Sequence, residues 1–94
     1  MNLTFASGLI LESIGRGLSY GFHIIDHTGL PSGTIYPALR RLESEGLIES
    51  QWNHKAAEKS GGPPRRYYRL TALGRQRLHL LRDRYPLLER TGKR

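Results

Sequence analysis

The chain has 94 residues and no cysteine, so it can form one small domain that neither a disulfide nor a thiolate-bound metal can support, and association with a second copy is the remaining support. No apolar run is long enough to span a bilayer, and Met1 to Phe5 lack the basic start of a signal peptide, so a soluble cytoplasmic protein is expected. The net charge of +7 is concentrated in one half: residues 1–50 carry three arginines against five acids, residues 51–94 twelve Lys and Arg against three, which favours a polyanionic partner.

A first helix is expected over residues 3–15. Phe5, Leu9, Ile10 and Ile14 keep close to helical spacing, Glu12 points away from the core, and Gly15 with Gly17 ends the run. Ser19 is expected to cap a second helix through Tyr20, Phe22, Ile24 and Ile25 to about Thr28. Gly21 within it implies that another backbone passes close by. His23 and His27 lie four apart, a spacing that suits a metal ion, but no third ligand is near and they read as structural histidines. The turn Gly29-Leu30-Pro31 then joins two helices into a helix-turn-helix.

The third helix begins near Ser32, with Ser32 or Thr34 as its cap, and holds Pro37 in or near its first turn. Gly46 ends it. Ile35, Leu39 and Leu42 form an apolar stripe, which turns Thr34, Tyr36, Pro37, Arg40 and Arg41 to the opposite face. That face is hydroxylated, aromatic and cationic, a composition suited to phosphates and groove edges. Tyr36 reads as a DNA contact in preference to scaffold packing. Arg40 and Arg41 either meet DNA, with Arg40 the better placed, or pair with the acids at 43 to 45.

The pattern then changes to period two. Ile48, Ser50 and Trp52 alternate with Glu49, Gln51 and Asn53 as a strand with one covered face, on which Trp52 reads as packing. Residues 53–64 read as a loop ending in Gly61-Gly62-Pro63-Pro64, and Arg65 to Leu70 as a second strand. Arg66, Tyr68 and Leu70 share one side, Arg65, Tyr67 and Arg69 the other, so one of the two tyrosines belongs to the core. Arg65 and Arg66 beside a stiff loop point to phosphate or minor-groove contact. Helix-turn-helix plus hairpin makes a mainly α fold with a small β-hairpin, a winged helix-turn-helix over residues 1–70. From Thr71 as cap, residues 71–94 form a C-terminal dimerisation helix of the same compact domain. Leu78, Leu81, Tyr85 and Leu88 are its seam, Pro86 bends it, and the tail Arg90 to Arg94 frays.

Three segments together resemble the PadR family of bacterial transcriptional regulators: Tyr20-Gly-Phe, Ser32-Gly-Thr-Ile-Tyr-Pro-Ala-Leu-x-Arg-Leu-Glu-x-Glu-Gly-Leu-Ile48, and Gly61-Gly-Pro-Pro-Arg-Arg-Tyr-Tyr-x-Leu-Thr-x-x-Gly74. The resemblance spans about residues 5–78. It implies a dimeric repressor that binds double-stranded DNA at a palindromic operator, without a cofactor, and it permits a small aromatic ligand. It also places Ser32, Gly33, Thr34, Tyr36, Pro37 and Arg40 at the DNA, with Arg65, Arg66 and Tyr67 or Tyr68 on the wing. Phe22-His23 stands where the family often has Tyr-Glu, the second and third helices are closely linked, and Pro86 shortens the last helix. An enzyme is not expected, because there is no Cys nucleophile, no Gly-rich phosphate loop and no carboxylate pair placed on one face. The competing function is a winged-helix protein-interaction module without specific DNA binding.

Overall fold

The computed structural model describes residues 3–55, 59, 61 and 65–90. Its elements are α1 (Phe5–Gly15), α2 (Gly21–Thr28), α3 (Ser32–Ser44), β1 (Ile48–Asn53), β2 (Arg65–Leu70) and α4 (Ala72–Arg84), followed by a 3₁₀ turn (Pro86–Arg90). Helix α1 is the centre of the molecule. Thr4 caps it by accepting from the Ser7 amide, and every residue from Ser7 to Ile14 is buried. A helix covered on all sides needs neighbours on all sides, and α2, α3, α4 and the 3₁₀ turn supply them.

Burial of the whole helix overturns the expectation that Glu12 points outward. Its carboxylate is 1% exposed, and it accepts from Arg82 Nε at 2.9 Å, Arg82 Nη2 at 3.1 Å and Arg16 Nε at 2.8 Å. Burial raises its pKa, but the hydrogen bonds from Arg82 and Arg16 lower it by more, so the group titrates below its ordinary value. Arg16 also donates through Nη2 to the Glu89 carbonyl, and Arg82 Nε lies 3.6 Å from Glu89 Oε1. The network fastens the C-terminal turn to α1.

The expected seam has the same destination. Leu78, Leu81 and Leu88 are buried in the core of their own chain, and Tyr85 packs against it with its ring edge on Phe5. Gly8 and Gly15 provide the seats: a Cβ at Gly8 would lie 3.2 Å from a Leu88 methyl, and one at Gly15 3.2 Å from a Leu78 methyl. Leu78, Leu81 and Leu88 of the expected dimer seam therefore pack inside their own chain, with Tyr85 at its margin. The exposed leucines of this region are Leu73, Leu80 and Leu87. Helix α4 stops at Arg84, as Pro86 requires.

The hairpin is antiparallel, with register from Ile48↔Leu70 to Asn53↔Arg65. Its base is closed by the Thr71 amide donating to the Leu47 carbonyl at 3.1 Å, and Thr71 caps α4 as expected. Gly74 lies so near this base that a Cβ there would fall 1.9 Å from Leu47 O. Along its outer edge, the Tyr68 amide donates to the Ser19 carbonyl at 2.9 Å, and Tyr20 bridges to Tyr67. The link between α1 and α2 thus runs along the edge of β2 as an isolated bridge, beside a sheet of two strands. For that reason Ser19 does not cap α2; Tyr20 holds the cap position, without a side-chain bond. Within the stretch expected as loop, Asn53 belongs to β1 and His54, Lys55 and Lys59 are helical; most of the wing tip and residues 91–94 lie outside the described residues. His27 is buried in the scaffold, and His23 packs against the Tyr20 and Phe22 rings.

Candidate nucleic-acid interface

Helix α3 separates its two faces as its sequence requires. Ile35, Ala38, Leu39 and Leu42 are buried, while Ser32, Gly33, Thr34, Tyr36, Pro37, Arg40 and Arg41 are exposed. Pro31 occupies the cap position with no side-chain cap, in place of the expected Ser32 or Thr34. The amides of Thr34 and Ile35 donate to its carbonyl at 2.9 and 3.0 Å. Both hydroxyls are consequently left on the surface, beside amides of the first turn that have no intrahelical acceptor. Pro37 lies one turn deeper than expected, as the sixth residue of the helix. The carbonyl it deprives of a donor is that of exposed Gly33, which water can reach, so the helix continues through the proline.

Tyr36 is both exposed and packed against the scaffold, which the sequence treats as alternatives. It is 45% exposed, yet its ring lies against Gly21 so closely that a Cβ there would be 2.5 Å from Tyr36 Oη. The close approach inferred at Gly21 is therefore by a side chain and not by a backbone. Arg40 and Arg41 form no ion pair with another described residue, so the expected pairing with Glu43 to Glu45 is absent. Glu43 is engaged elsewhere.

Its partner is the hairpin. Arg66 Nη2 lies 3.3 Å from Glu43 Oε1, Arg66 Nε donates to Ser50 Oγ at 2.8 Å, and Ser50 Oγ donates to Glu43 Oε2 at 2.7 Å. Arg66 is thus tied down, whereas a guanidinium held away from the protein was expected. Arg65 lies over the Phe22 ring, 5.0 Å from its centre. Tyr68 is the core tyrosine; Tyr67 is half-buried and donates to Gln51 Oε1 at 2.6 Å, so its hydroxyl is engaged within the hairpin. Trp52 is not packed. It is 54% exposed, with Arg66 5.6 Å above its ring, and it borders an open cavity of about 430 Å³ shared with Ser19, Tyr20, Asn53, His54, Lys55 and Tyr67. Phe22, 48% exposed, is a second aromatic that sequence reading missed as a surface group. A signal for Trp52 was present: it pairs with Arg66 in the register, so no apolar residue stands opposite it.

The result is a surface on which the exposed side of α3 and the arginines of β2 flank one groove. Tyr20, Gly21, Phe22, Tyr36, Arg65, Arg66 and Tyr68 line a cavity of about 250 Å³ there. The sequence profile of the transcriptional regulator PadR-like family matches residues 10–80. The chain belongs to the PadR-like family of transcriptional regulators. Its fold is similar to that of a PadR family transcription regulator from Clostridium difficile R20291, with 31% identity, 93% of each chain covered and a TM-score of 0.74. A PadR-like regulator from Bacillus cereus matches at 30% identity over 89% of this chain and 84% of that one, with a TM-score of 0.68. A PadR family regulator from Eggerthella lenta matches at 27% over 88% and 77%, with a TM-score of 0.64. None of the curated proteins compared by sequence matches significantly. As in its PadR relatives, the fold is a winged helix, and among the described residues no helix is long and apolar enough to cross a membrane.

Proposed function

We propose that this PadR-like regulator binds a specific duplex as a homodimer and represses transcription there. The observation that carries the reading is the exposed side of α3, where Ser32, Thr34, Tyr36 and Arg40 stand clear of the core beside a hairpin bearing Arg65 and Arg66. A helix of this kind enters a major groove, and two copies then read half-sites roughly 34–36 Å apart on a palindrome. Gly33, Pro37 and Arg41 border the same face. Lys55, Lys59, Arg65 and Arg66 add phosphate attraction, so affinity falls steeply with salt.

The second copy docks on the exposed leucines. Leu73 and Leu80 are seven residues apart and share a face of α4, and Leu80 is 58% exposed. Leu80→Asp is expected to give folded monomers in sedimentation, whereas Leu81→Asp buries a charge in the core and unfolds the chain. A dimeric Leu80→Asp protein would place the interface elsewhere.

Exposed Trp52 and Phe22 favour the competing reading, a protein-interaction surface, because aromatics anchor such interfaces. Each, however, lies beneath a guanidinium, which makes the surface cationic instead of apolar. The deciding experiment measures binding of the full chain to the DNA upstream of its own coding region, against a scrambled duplex, over a salt series. Preference for the upstream DNA with two chains per site supports the regulator. Absence of binding at low salt transfers the function to a protein partner.

A further inference from the structure

The two wing arginines are held in different ways. Arg65 rests on Phe22 and has no carboxylate of another described residue within ion-pair distance. Arg66 is held by three groups: Ser50 of β1 accepts from its Nε, Glu43 of α3 faces its Nη2, and the Trp52 ring underlies it. Ser50 also donates to Glu43, so the bonds form a closed triangle joining the exposed helix to the wing. Glu43 stands three residues after Arg40, and Tyr36, Arg40, Glu43, Arg66 and Tyr68 surround an open notch of about 230 Å³. A guanidinium carries five N–H donors. The triangle uses two of them, which leaves three for an acceptor entering the notch.

We infer that Glu43 and Ser50 are positioning residues for DNA recognition: they hold Arg66 beside Arg40 so that a backbone phosphate is gripped in one register. The inference rests on the DNA-binding reading above and assigns the notch to the strand that separates the major groove, entered by α3, from the wing. Two physical effects follow from the geometry. An arginine already ordered loses little rotamer freedom when it meets a phosphate, so its direction is set before DNA arrives. In addition, a carboxylate beside the notch repels every phosphate, and the repulsion is offset only where Arg40 and Arg66 are both engaged. Discrimination then comes from an unfavourable contact with wrong placements as well as from a favourable one with the right placement.

The test uses the full chain with the upstream duplex and a scrambled duplex of equal length, by fluorescence anisotropy across a salt series, with thermal melts to confirm folding. Glu43→Gln keeps the shape and removes the charge. It is expected to tighten binding to the scrambled duplex by roughly three- to tenfold without tightening binding to the upstream duplex, the scale of one charge-assisted contact. Its salt slope on the scrambled duplex should steepen by about 0.9, as one more cation is freed for phosphate. Ser50→Ala leaves all charges in place, so the slope stays unchanged while upstream binding weakens by roughly threefold or more, and Ser50→Thr restores it. A residue that merely supports the fold would lower the melting temperature and change both duplexes by the same factor, which overturns the inference. So does a Ser50→Ala protein with wild-type affinity, and this variant decides the matter if Glu43→Gln does not fold. Wild-type protein that binds neither duplex removes the regulator reading and this inference together. Wild-type discrimination that survives both substitutions removes only the inference.

Discussion

Glu12→Gln removes one charge from a site that water does not reach and leaves two guanidinium groups facing an amide. The three hydrogen bonds lost or weakened are those from Arg82 Nε, Arg82 Nη2 and Arg16 Nε. Bonds to a charged group are worth about 1.5–3 kcal/mol each, but desolvating the carboxylate cancels much of that gain. Both arginines are about a third exposed and rehydrate once released, which reduces the cost further. The net destabilisation is about 2 kcal/mol, or roughly 8–16 °C in Tm for a domain of this size. The pH dependence has a definite sign. Because the folded-state pKa lies below the ordinary value of 4.5, the stabilisation is complete above 4.5 and is lost as the pH falls from there through the folded-state value. Circular-dichroism melts of both proteins at pH 7 and pH 3 should therefore show a wide gap that narrows in acid. A variant melting within about 2 °C of wild type at pH 7, or a gap equally wide at pH 3, would refute the assignment of Glu12 as a buried clamp between α1 and the C-terminal turn.

Three further substitutions separate fold from interface. Gly74→Ala places a methyl against the backbone carbonyl of Leu47, so that the backbone itself must shift, and should destabilise by about 3 kcal/mol or more in urea unfolding. Gly21→Ala meets only the end of the Tyr36 side chain, which can swing away. Its Tm should change by no more than the few degrees equivalent to about 1 kcal/mol while binding to the upstream duplex weakens. Arg65→Ala should flatten the salt slope of DNA binding by about 0.9, and an unchanged slope would take that residue out of the interface.

Much of the scaffold was legible because it follows from local rules. The Ile35-Leu39-Leu42 stripe, the period-two strand from Arg65 to Leu70, the Thr71 cap and the stop at Gly46 are each set by residues within a turn or two of one another. Gly46 shows how local such a signal is. It takes φ 77°, its amide donates to the Glu43 carbonyl and that of Leu47 to the Leu42 carbonyl, a closure that only the left-handed conformation allows. The direction of the α3 surface was legible for the same reason: once the stripe is buried, Tyr36 and Arg40 have to face out.

What the sequence did not determine depends on partners far along the chain. Glu12 reads as solvent-facing until Arg82 is brought to it across 70 positions. The leucines at 78, 81 and 88 have the spacing of an oligomer seam, and only the seats at Gly8 and Gly15 make them core. Arg66 looks like a free wing cation until the hairpin register places it over Ser50 and within reach of Glu43. Trp52 looks buried until the strand outruns the core beneath it. Periodicity states which side of an element a residue takes; which residues meet there is decided by how the elements pack, and on this chain that packing joins the hairpin to α3.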